Sequence, residues 1–73
     1  MKIVFSKHCM QEMIIRSIKK EDIINSIKNP DEIKQKETIR IVWKRFENDG
    51  LKVICREYAD YVFVITAYPK HSI

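Results

Sequence analysis

Residues 39–68 constrain this chain most. They read Ile-Arg-Ile-Val-Trp-Lys-Arg-Phe, then Glu-Asn-Asp-Gly, then Leu-Lys-Val-Ile-Cys-Arg-Glu-Tyr, then Ala-Asp, then Tyr-Val-Phe-Val-Ile-Thr-Ala-Tyr. Three runs rich in β-branched and aromatic residues, parted by short polar breaks, predict an antiparallel meander. A two-residue turn at Ala59-Asp60 sets Tyr58 opposite Tyr61, Cys55 opposite Val64 and Val53 opposite Thr66. A turn through residues 47–50 sets Phe46 opposite Leu51, Lys44 opposite Val53 and Val42 opposite Cys55. Only an odd-length change, such as a bulge, would swap the faces these pairs define.

One predicted face holds Val42, Phe46, Leu51, Val53, Cys55, Val62 and Val64, with Lys44, Thr66 and Tyr68 toward one end. It is the natural bed for helices. The other holds Ile39, Ile41, Trp43, Arg45, Lys52, Ile54, Arg56, Tyr58, Tyr61, Phe63 and Ile65. That face is too apolar for plain solvated surface, which points to cover by the chain ends or by another molecule.

N-terminal to the meander the period is helical. Residues 2–5 read as a short strand or extended lead-in, and Ser6 as an N-cap. Over residues 7–19, Cys9, Met10, Met13, Ile14 and Ile18 share one broad helical face, and His8, Glu12 and Arg16 run along its edge. Glu12 and Arg16 also make an ordinary i, i+4 ion pair, worth roughly 0.3–0.5 kcal/mol. A second helix is expected over residues 21–28, with Glu21 and Asp22 in its first turn and Ile23, Ile24 and Ile27 buried. Lys20 is a poor cap for it. Asn29 suits a left-handed end, and Pro30 stops the helix. Residues 31–36 read as an extended connection or a weak edge strand. The expectation is one α+β domain over residues 1–73, with two N-terminal helices on one face of a three- to four-stranded antiparallel sheet.

Composition narrows the function classes. At 73 residues the core is marginal, so a partner chain can add stability. The net charge of +4 permits a phosphate-bearing partner without requiring one. Cys9 and Cys55 sit in apolar runs and read as buried thiols rather than a disulfide framework. Residues 1–5 are too short for a signal peptide, and no apolar stretch reaches transmembrane length, so the expected compartment is the cytoplasm. His8, Cys9, Cys55 and His71 lack metal-ligand spacing, and a single glycine precludes a glycine-rich phosphate cradle. No metal, no small-molecule cofactor and no membrane partner is expected.

The candidate catalytic group is His8, Lys44, Thr66 and Tyr68. A first helix lying across the core face would bring His8 toward the end where the other three meet. There the imidazole can serve as acid or base, Lys44 can neutralise charge developing on phosphorus, and Tyr68 can stack on a base. Arg16 and Arg56 would add phosphate contacts. The alternative is structural: a His near a helix start is usually a surface residue, and a sheet-edge Lys snorkels. On the opposite face, Arg45, Lys52 and Arg56 interleave with Trp43 and the tyrosines as a single-strand stacking platform. Trp43, Ile54 and Phe63 would equally suit a protein interface.

The run His8-Cys9-Met10-Gln11-Glu12-Met13-Ile14-Ile15-Arg16-Ser17-Ile18 resembles the opening helix of a small prokaryotic family, domain of unknown function 4258. That helix commonly reads H-A-x-x-R-M-x-x-R-G-I, followed by an acidic second helix and N-P. Asn29-Pro30 and the closing Val64-Ile65-Thr66-Ala67-Tyr68-Pro69 fit the same pattern. The family resembles, distantly, the RelE-like RNase toxins and their barnase and colicin-type relatives. That resemblance implies helices on an antiparallel sheet, metal-independent RNA cleavage, and functional positions at His8, Arg16, Thr66 and Tyr68. The chain departs at Glu12, where the family has Arg, and at Ser17, where it has Gly. An anion beside His8 weakens phosphate binding.

The leading expectation is therefore an RNA-binding, RelE-like domain acting as a metal-independent endoribonuclease toxin, with RNA and an antitoxin as partners. The alternative is a non-catalytic interaction domain that pairs with itself or another protein through the Trp43, Ile54 and Phe63 face. A third class is a plain nucleic-acid binder that does not cleave.

Overall fold

The computed structural model describes residues 2–47 and 49–70. Strand β1 (Lys2–Phe5) leads directly into helix α1 (Lys7–Ile15). Ser6 makes that junction. Its hydroxyl oxygen accepts from the Cys9 amide at 2.9 Å and its O–H donates to the Ile65 carbonyl at 2.7 Å. One side chain thus caps a helix and ties it to the last strand.

Helix α1 ends four residues earlier than its periodicity predicts. The Ile18 amide donates to the Met13 carbonyl at 2.9 Å and the Ser17 amide to the Ile14 carbonyl at 3.4 Å. These two bonds, with Ser17 at φ 55°, form a Schellman stop. Ile18 reaches the core from beyond the helix, packed there with Met13. Of the remaining predicted stripe only Cys9 is buried. Met10 is half-exposed, while Ile14 and Ile15 are 81% and 75% exposed.

Helix α2 (Lys20–Lys28) starts without a side-chain cap at Lys19 and carries Glu21 and Asp22 in its first turn. Ile23 and Ile27 are buried. Ser26 is buried beside them because its hydroxyl donates back to the Asp22 carbonyl at 2.7 Å, leaving no orphaned donor. Asn29 caps the helix at φ −134° rather than in the left-handed region expected of it.

Strands β2 (Glu32–Lys36), β3 (Ile39–Arg45), β4 (Gly50–Glu57) and β5 (Tyr61–Pro69) complete one five-stranded sheet in the order β1-β5-β4-β3-β2. The expectation of three or four antiparallel strands is corrected at both edges. Residues 32–36 pair antiparallel with β3, and β1 pairs parallel with β5, so the sheet is mixed. Both helices bury Cys9, Ile23 and Ile27 against Val42, Leu51, Val53, Val64 and Ala67 on one face. Each fully buried aliphatic side chain there contributes roughly 1.5–3 kcal/mol.

Two register details decide which side chains share a face. In β3 and β4, Lys44 pairs with Leu51 and Val42 with Val53, two residues from the expected register. The Phe46 amide donates to the Asp49 carbonyl at 2.7 Å, so the turn begins at Phe46 rather than after it. A shift of two leaves every face unchanged.

The second detail does not. Cys55 pairs with Val64 as expected, but Ile54 then pairs with Thr66, Val53 with Ala67 and Lys52 with Tyr68. Ile65 is one extra residue, a β-bulge, and beyond it the faces swap. Ala67 enters the core at 1% exposure, while Thr66 and Tyr68 turn to the opposite face beside Ile54 and Lys52. The predicted placement of Thr66 and Tyr68 on the helix face is therefore corrected. The bulge is held from outside β4: the Ser6 amide donates to the Val64 carbonyl at 2.9 Å and its hydroxyl to the Ile65 carbonyl.

Candidate nucleic-acid interface

The sheet face turned away from the helices carries most of the strands' aromatic and cationic side chains. One row across it runs Glu32, Trp43, Lys52, Tyr68, and the next runs Lys34, Ile41, Ile54, Thr66. A third runs Lys36, Ile39, Arg56, Phe63, Val4, and Tyr61 stands beside Lys2. The Lys52 ammonium lies between two rings, 5.5 Å from the Trp43 centroid and 5.4 Å from that of Tyr68. Such contacts contribute about 0.5–1 kcal/mol each at exposed sites. At the far end Tyr58 and Tyr61 stack with centroids 4.7 Å apart and planes at 13°.

Charge is divided unevenly between the faces. Strand positions on the uncovered face include six cations, Lys2, Lys34, Lys36, Arg45, Lys52 and Arg56, and one acid, Glu32. On the helix face the strand cations have carboxylate partners. Arg40 Nη1 meets Glu57 Oε2 at 3.1 Å, and Lys44 Nζ meets Asp31 Oδ1 at 4.0 Å.

The four-residue catalytic group is not brought together. His8 is exposed in the first turn of α1, at the end anchored on Val64 and Ile65. Lys44 is on the helix face in the row of Leu51 and Pro69. The other end of α1 approaches that row, where Arg16 and Ile18 share a cleft with Phe46, Leu51 and Pro69. A nine-residue helix is about 13 Å long, which separates the two ends. Thr66 and Tyr68 lie on the other side of the sheet altogether. Arg16 is paired with Glu12, Nε to Oε1 at 3.4 Å, in the ordinary helix ion pair.

The platform residues, in contrast, do come together. Arg45, Lys52, Arg56, Trp43, Ile54 and Phe63 all stand on the uncovered face, joined there by Thr66 and Tyr68. Sequence reasoning missed Lys34, Lys36 and Lys2. The signal was present as alternation in Glu-Ile-Lys-Gln-Lys, which puts Glu32, Lys34 and Lys36 on one side once residues 32–36 are a strand.

The remaining reactive groups are packed away. Cys9 and Cys55 are free, buried thiols. Burial, helped by the Glu12 carboxylate, raises the pKa of Cys9. Burial raises that of Cys55 to about 11, with Arg40 opposing and Glu57 reinforcing the shift. Neither supplies a thiolate at neutral pH. Among the described residues no three His, Cys, Asp or Glu side chains gather as a metal site, and His71 lies outside those residues. Among the same residues no helix is long and apolar enough to cross a membrane.

No curated protein and no solved structure matches the chain. The family model for Domain of unknown function (DUF4258) matches residues 5–69, a span that takes in the Ser6 junction, both helices and the whole meander. The chain belongs to that family.

Proposed function

We propose that this chain is a cytoplasmic, single-stranded RNA-binding domain that uses the uncovered face of its sheet. One observation carries the reading: six cations and one acid stand among half-buried aromatic rings on a face that no described helix covers. Aromatic side chains stack on unpaired bases for about 1–3 kcal/mol each, and the cations track phosphates. A duplex hides its base faces and would leave Trp43, Tyr68 and Phe63 unused. The distant resemblance of the family to RelE-like RNases supports RNA as the polyanion. Charge also weighs against a second copy seated face to face, because cation would oppose cation.

Cleavage is not part of this proposal, since His8, Lys44, Thr66 and Tyr68 do not converge. Fluorescence anisotropy with labelled single-stranded RNA tests it. Affinity should fall steeply with salt, with a slope of roughly −2 for about three phosphate contacts. Lys52→Glu should weaken binding about tenfold or more, and Trp43→Ala by roughly 1–3 kcal/mol. RNA incubated in chelator with the wild type or His8→Ala should stay intact in both. Salt-independent or undetectable binding removes the reading.

A second reading, an interaction domain for a partner protein such as an antitoxin, is favoured by the exposure of Ile14 and Ile15 on α1. It predicts a co-purifying partner that Ile14→Glu releases.

A further inference from the structure

The uncovered face has a concave region at the opposite end from Trp43 and Tyr68. A cleft of about 420 Å³ opens over β1 and β5 beside the turn between β4 and β5, lined by Lys2, Val4, Asp60, Tyr61 and Phe63. Its size lies at the small end of ligand cavities, which run from about 300 to 1,000 Å³. Lys2 pairs with Tyr61 and Val4 with Phe63, so four of the five lining residues form two neighbouring rows. Val4 and Phe63 give the cleft an apolar bed. The Tyr61 ring is held in place by its stack on Tyr58. Two charged residues complete it, one cation and one carboxylate. Asp60 is exposed at the turn, and no described side-chain hydrogen bond or ion pair engages its carboxylate.

We infer that this cleft takes one unpaired guanine of a single-stranded RNA; the inference rests on the RNA-binding reading above. A flat ring fits a bed of Phe63 and Val4 bordered by Tyr61. The carboxylate then selects the base by its edge. Guanine presents N1–H and an N2 amine side by side, two donors for the two oxygens of Asp60. Cytosine and adenine each present one amine beside a ring nitrogen acceptor, whose lone pair faces the carboxylate unfavourably. Uracil presents one N–H between two carbonyls. Lys2 stands beside Tyr61 and neutralises the phosphate of the same nucleotide. The guanine must be unpaired, because a Watson–Crick partner would occupy the edge that Asp60 reads.

Anisotropy titrations of U-rich pentamers carrying a single central G, A, C or U test this at low salt. The G pentamer should bind about tenfold tighter than the all-U pentamer, the discrimination expected of one bidentate contact. In Asp60→Asn, which places an amide donor where an acceptor is needed, that ratio should collapse to about one. Thermal unfolding of Asp60→Asn, unchanged at so exposed a turn, confirms that the fold is intact. Equal affinity for the four pentamers overturns the guanine pocket while the stacking platform stands. A G preference that persists in Asp60→Asn also overturns it. If no pentamer binds, the RNA-binding reading fails along with the pocket.

Discussion

The two faces of the sheet share their strands and little else. On the helix side Val42, Val53 and Val64 are fully buried, and Arg40 and Lys44 each have a carboxylate at hand. On the other side, one residue along each strand, Trp43, Ile54 and Phe63 are only half-buried, and the cation between the rings rests on aromatic faces. The helix face is organised to exclude water and cancel charge, and so to hold the fold. The uncovered face displays half-buried rings and an excess of cations over acids, a charge imbalance that the helix face does not share. The side that holds the fold and the side proposed to bind are thereby opposite sides of the same backbone.

Neighbouring substitutions on β4 give the sharpest test of that division. Val53→Ala should cost about 2 kcal/mol in urea unfolding, whereas Ile54→Ala should cost well under half as much. Equal losses would mean that the second face is covered as well, and the division would fail.

Alkaline titration separates the faces by a smaller effect. The Cys55 thiol, ordinarily near 9.0, titrates near 11 in the folded chain. Its raised folded pKa favours the native state fully below pH 9, and that contribution is lost as pH rises through about 11. Cys55→Ala should therefore be less stable at pH 7 by a cavity penalty, and its deficit should shrink between pH 9 and 11. A constant deficit would show that the thiol is not shielded by the helix layer.

The smallest effect concerns the helix layer's own turn. Ser17 holds φ 55°, a conformation glycine adopts without the Cβ penalty. Ser17→Gly should raise stability by about 0.5–1 kcal/mol in thermal unfolding and leave RNA affinity untouched. A change in affinity would mean that the two faces are coupled.

The meander, its buried valines and the Ser6 cap were legible because period and turn chemistry are local, whereas Asn29 does not take the left-handed end expected of it. The Tyr58–Tyr61 pairing followed from a two-residue turn and is present, with the Tyr58 amide donating to the Tyr61 carbonyl at 2.9 Å. The end of α1 was not legible, since Ile14 and Ile15 continue an apolar run that the Schellman turn leaves outside. The role of the Gly-like position 17 was visible only through the family pattern. The candidate site was misread at Ile65. Nothing in Val-Phe-Val-Ile-Thr-Ala-Tyr announces an extra residue, and the groups that hold it come from Ser6, far away in sequence. Thr66 and Tyr68 therefore joined the stacking face instead of His8.

That same bond spans 59 residues. The kink it secures exists only after the first strand has met the last, and contacts of such separation form slowly. Without that kink the unbulged register would turn Thr66 and Tyr68 inward and Ala67 outward. Which rings meet solvent at this end of the sheet thus depends on a serine near the start of the chain.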